Sequence, residues 1–178
     1  MSAKEQTVKA AKVDFQISLN EYKKQLEKGT IRTAYKGLMS YLDGLRLYFE
    51  KKYPDFVSSS VQHGTMDYSY FYFFPKALKQ RKLKVVLLFV HDSFRFEVWL
   101  AGYNKTAQEK YWKLFKEANY NKYKVPTSLN DVDSIVEHVI VDNANFSNLD
   151  VLTRQIESES LKFISDIEAF LDSKETLT

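Results

Sequence analysis

The stretch "LKVVLLFVHDSFRFEVWL", residues 83–100, decides the reading of this chain. Its first half, 83–90, is a mostly apolar run, β-branched in part, and too short for a typical helix. It reads as a central strand covered on both faces. "HDS" is a tight connection. From Phe94 the pattern alternates: Phe94, Phe96, Val98 and Leu100 point one way, Arg95, Glu97 and Trp99 the other. Two such runs joined by a short polar link make an antiparallel hairpin. Leu87, Leu88, Phe89, Phe96 and Val98 are its expected core.

Working outward, "MDYSYFYFFP", 66–75, is dense in aromatics and poor in helix formers, so it reads as a third strand over 66–74. "PKALKQRK" follows as a short basic helix or turn led by Pro75. After the hairpin, Asn104 suits a helix N-cap, and Ala107, Tyr111, Leu114, Phe115 and Ala118 form the inner stripe of that helix. "SIVEHVIV", 134–141, reads as a further strand, with a helix turn as the alternative. At the N-terminal side, Val8, Ala11, Phe15, Leu19, Tyr22 and Leu26 recur at helical spacing, and Gly29 ends that helix. A second stripe runs from Ile31 to Phe49 and stops before Pro54. Leu149 to Leu171 mark a long C-terminal helix. The order predicts an α+β fold: a small, largely antiparallel sheet, made of the hairpin 83–90/94–100 and strand 66–74, packed with N- and C-terminal helices. One domain over 1–178 is expected.

Composition narrows the function classes. There are 13 Phe, 12 Tyr and 2 Trp, but only five Gly and three Pro, which favours long regular elements. The absence of cysteine excludes disulfides, thiolate nucleophiles and Cys-ligated metals. "MSAKEQTVKAAKVDFQ" has no apolar core of a signal peptide, and no apolar run is long enough for a bilayer. A cytoplasmic protein, a monomer or homodimer off the membrane, is expected. Residues 1–130 carry 23 Lys and Arg against 12 Asp and Glu, while residues 131–178 carry 3 against 11. The favoured reading is that the acidic C-terminal segment lies against the basic body.

Charges beside an apolar strand need partners. Arg95 and Glu97, two apart on one strand face, can pair with each other, and Trp99 can wall a pocket above them. Asp67, an acid among aromatics, either pairs with Arg95 across the sheet or caps a turn after Gly64. A divalent-metal nuclease centre would need an acid and then acid-x-Lys; Trp99 occupies the place of that lysine. The glycine-rich phosphate loops and the GxSxG elbow are absent, and His63, His91 and His138 lack ligand spacing, so no cofactor or metal is expected. Nucleic-acid binding through the basic stretches 76–84 and 110–124 is disfavoured. Tyr111, Leu114 and Phe115 belong to a core stripe there, and Lys110, Lys113 and Lys116 to a solvated face.

Residues 66–112 resemble the central signature of a bacterial family of uncharacterised single-domain proteins. The resemblance is carried by Met66, Asp67, Tyr70, Phe71, Pro75, Leu83, Lys84, Phe96, Glu97, Val98, Trp99, Leu100, Asn104 and Lys105. It implies a stand-alone bacterial cytoplasmic domain and brings no activity. The candidate binding set is Asp67, Tyr70, Arg95, Glu97, Trp99, Asn104 and Lys105. The expected role is a ligand- or protein-binding module without catalysis. An enzyme built on Asp67, Arg95 and Glu97 is the alternative, and a nucleic-acid binder the third reading.

Overall fold

A computed structural model describes residues 3–130 and 133–175, with side chains from Asp14 onward. Among these described residues five helices and five strands follow in the order α1 Ala3–Glu27, α2 Thr30–Lys52, β1 Val57–Ser58, β2 Tyr68–Phe74, α3 Lys76–Gln80, β3 Leu83–Val90, β4 Arg95–Gly102, α4 Lys105–Glu117, β5 Val136–Val141 and α5 Leu149–Glu175. The fold is α+β. The strands form one antiparallel sheet in chain order, β1 to β5.

The chain divides into two compact units, residues 1–41 and 42–178. The first holds α1 and the start of α2. Gly29, at φ +79°, takes the left-handed conformation that lets α1 stop and α2 begin. Phe15, Leu19 and Tyr22 of the expected α1 stripe are exposed, and the side chains of Val8 and Ala11 lie outside the described residues.

The second unit holds the sheet. Odd-numbered residues of β2 and β3 and even-numbered residues of β4 share one face. Phe71, Phe73, Val85, Leu87, Phe89, Phe96, Val98 and Leu100 are all at most 1% exposed there. Leu42, Leu45 and Phe49 of α2 and Ile156, Phe163 and Ile167 of α5 are buried with them. Phe49 stacks on Phe73, and Phe163 lies parallel to His138 of β5. The expected hairpin core is therefore in place. Phe94 is a difference: it sits in the turn at φ +48° and is exposed rather than on the strand. The coverage of β3 also differs from expectation. Leu88 is sealed, but Lys84, Val86 and Val90 on the second face are only partly buried. That half-open face positions the site.

Charge along α5 meets the body. Arg81 pairs with Asp172 and Glu175, each at 2.7 Å, and Lys122 pairs with Asp166 at 2.7 Å. Glu157 ties α5 to the end of α2. It is 7% exposed, accepts hydrogen bonds from the Tyr48 and Tyr53 hydroxyls, and lies 2.7 Å from the Lys52 ammonium. Burial alone would raise its pKa, but the bonds from Lys52, Tyr53 and Tyr48 together hold the carboxyl below its ordinary 4.5. A carboxyl that is more acidic folded than unfolded adds stability that is complete above pH 4.5 and lost as pH falls through its folded value. In melts from pH 7 to pH 3, the wild type is expected to lose stability more steeply below pH 4.5 than Glu157→Gln. Parallel profiles would contradict this.

Candidate functional site

The half-open face is built by the other alternation. Tyr68, Tyr70 and Tyr72 of β2 lie beside Val90, Leu88 and Val86 of β3, which pair in turn with Arg95, Glu97 and Trp99 of β4. A bulge between Phe96 and Glu97 in the β4–β5 pairing places Glu97 opposite Val139 and Trp99 opposite Glu137.

A cavity of about 290 Å³ opens on this face. Val86, Leu88 and Ala101 form its floor, and Tyr68, Tyr70 and Trp99 its aromatic walls. Tyr68 meets Trp99 edge-on at 5.7 Å and Tyr70 at 5.8 Å between ring centres. Lys84, Asn104, Lys105, Gln108 and Asp133 supply the polar rim.

The rim is shaped by the passage from β4 into α4. Asn104 is the N-cap, its Oδ1 accepting from the Ala107 amide at 2.9 Å, as its place before the helical stripe predicts. Gly102 allows strand and helix to come together. A Cβ there would lie 2.4 Å from the Gln108 backbone nitrogen and 2.8 Å from its Cα. The Gly102 N–H also donates to Gln108 Oε1 at 2.6 Å. That bond fixes which way the Gln108 amide faces, and its Nε2 is left buried with no hydrogen-bond partner.

Lys84 interrupts the apolar run of β3. Among the described residues it forms no salt bridge; its ammonium sits over the Tyr72 ring, 4.4 Å from the centroid. Burial lowers its pKa, opposed by the charge of Asp133.

Arg95 and Glu97 stand beside the cavity without lining it. Glu97 is 5% exposed. One carboxylate oxygen takes the Arg95 Nε–H at 2.6 Å, and the other takes the Trp99 indole N–H at 2.7 Å. The pairing expected from the sequence is present, and the carboxylate has a further partner, the ring that walls the cavity. Glu97 thus orients Trp99, and Arg95 compensates its charge.

Asp67 stands apart from Arg95 and takes the second of its two expected roles, in the turn after Gly64. It precedes β2, and its Oδ1 accepts from the Tyr68 and Thr65 amides at 2.7 and 3.2 Å. These bonds, that from Tyr68 foremost, hold its carboxyl below the usual range. It caps the turn after Gly64, where a Cβ would come within 1.8 Å of the Tyr68 carbonyl. Of the seven candidates, Tyr70, Trp99, Asn104 and Lys105 line the cavity, Arg95 and Glu97 support it, and Asp67 does neither. Lys84, Tyr68, Gln108 and Asp133 were not among the candidates. A lone lysine in an apolar strand was the available signal for Lys84. Gln108 has no such signal, because its role depends on how closely Gly102 lets α4 approach.

Elsewhere, the basic stretches are partly spent on structure. Tyr111 and Phe115 are buried, and Arg81 is engaged by α5. No helix among the described residues is long and apolar enough to cross a membrane. No three His, Asp or Glu side chains among those residues group to hold a metal ion.

No curated protein and no solved structure matches the chain. A family model described as a domain of unknown function, DUF7000, matches residues 15–171, and the chain belongs to that family.

Proposed function

We propose that the protein is a binding module for a small ligand, held in the cavity on the open face of the sheet. The observation that carries this reading is the make-up of that cavity. An apolar floor, three aromatic side chains and a few converging polar groups are the usual composition of a small-molecule site. Glu97 adds to it: a buried carboxylate holds one wall of the cavity in a fixed orientation, as a pre-organised site requires. The enzyme reading built on Asp67, Arg95 and Glu97 is less favoured. Asp67 is occupied by its turn, and Glu97 by Arg95 and Trp99.

The test is a fragment titration followed by NMR at the Trp99 indole N–H, on the wild type and on Val86→Phe, which narrows the cavity from its floor. Fragments are expected to bind the wild type and to bind Val86→Phe at least about tenfold more weakly, the loss of roughly 1.4 kcal/mol. Equal binding to both proteins would place the site elsewhere.

A further inference from the structure

We propose that the ligand of this cavity is a flat aromatic acid, its ring against Trp99 and Tyr70 and its carboxylate toward Lys84; this rests on the cavity being a ligand site. The face presents donors in excess of acceptors. Lys84 and Lys105 are cations on the rim, and Gln108 Nε2 is an amide donor without a partner, its other end fixed by Gly102. The acceptors nearby, Asp133 apart, are already used. Glu97 is taken by Arg95 and Trp99, Glu137 by Lys124 and Ser134, and the Asn104 oxygen by its cap. Asp133 is the one carboxylate on the rim among the described residues; its charge is felt at Lys84, but the two form no salt bridge. The first turn of α4, two of whose rim residues are Asn104 and Lys105, carries no acid to oppose an anion.

A half-buried ammonium that lies over a ring and has no salt bridge among the described residues gains a charge-assisted hydrogen bond when a carboxylate arrives. A neutral ligand gains less, and a cation is repelled. The aromatic walls select the rest of the molecule, because a flat ring can meet Trp99 and Tyr70 face or edge. A cavity of about 290 Å³ limits the acid to a small ring system.

Three probes of one shape decide the matter: 2-naphthoate, 2-naphthamide and 2-naphthylmethylammonium, with dissociation constants measured by calorimetry at pH 7. The acid is expected to bind wild type at least about tenfold tighter than the amide, the amount one charge-assisted hydrogen bond supplies. The ammonium is expected to bind weakest. In Lys84→Met the acid should fall to the level of the amide, with the amide unchanged. Lys84→Arg, which keeps the charge, should keep the preference and so control for damage to the fold. Amide or ammonium binding as tightly as the acid would overturn the assignment while leaving the cavity as a site. So would an acid preference that survives Lys84→Met. Failure of all three probes overturns the aromatic-acid assignment, and the fragment titration then judges the cavity separately.

Discussion

Phe89→Ala is expected to destabilise the protein by about 3–5 kcal/mol, the range for truncating a fully packed phenylalanine. Phe89 is 1% exposed near the end of β3, the middle strand of the sheet. Its ring meets Phe96 at 5.1 Å, His91 at 5.3 Å, Phe94 at 5.6 Å and Phe146 at 5.8 Å. These rings come from β4, the hairpin turn, and the segment leading into α5. Removing the side chain empties a space that four rings border, and strand backbones paired on both sides cannot close over it. Urea unfolding monitored by circular dichroism gives the figure. A loss below about 1 kcal/mol, the scale of a surface substitution, would contradict the placement of β3 at the centre of the sheet.

Glu97→Leu is expected to cost about 2–4 kcal/mol, less than the extreme for a sealed ion pair because the Arg95 side chain is 38% exposed and keeps some hydration. The substitution leaves the Trp99 indole N–H without its acceptor and Arg95 without its counter-charge. Glu97→Gln retains one acceptor and the side-chain shape, so its loss should be the smaller of the two. Both variants should speed hydrogen exchange at the Trp99 indole. Trp112 is an internal control, since its indole N–H donates to the Pro126 carbonyl at 2.9 Å, away from Glu97. Equal stability of wild type and Glu97→Leu, with Trp99 exchange unchanged, would remove the supporting role assigned to Glu97.

The parts of this fold legible in the sequence are those fixed by local periodicity. Strand β3 runs over Leu83–Val90 as its apolar run indicates, α4 begins after Asn104, and α1 stops short of Gly29. The pairing of Arg95 with Glu97 was legible too, because alternation put both on one side of a strand. Strand β1 was missed; two residues carry no period to detect. Phe94 was misread because it continues the alternation of β4 while its backbone serves the turn. Asp67, read either as a partner of Arg95 or as a turn cap, was only half placed for a related reason. Counting by twos extends β2 backward, but Met66, at φ +71°, breaks the strand geometry there. The openness of the second sheet face lay beyond local reading. It depends on where α4 lands, which Gly102 and Gln108 decide by a contact that no spacing encodes. The candidate site was therefore half legible: Tyr70, Trp99, Asn104 and Lys105 are present on the cavity, while Lys84 and Gln108 emerge only once strand and helix are brought together.

The open face of the sheet, with Trp99 as its wall and Glu97 as its support, is the proposed ligand site. The chain has two tryptophans, so its two indole N–H signals in an NMR fragment titration test this directly. Ligands that bind should move the Trp99 signal in proportion to occupancy, leave the Trp112 signal in place, and lose affinity when Val86→Phe narrows the floor. Saturable binding that shifts Trp112 while Trp99 stays still would contradict the account.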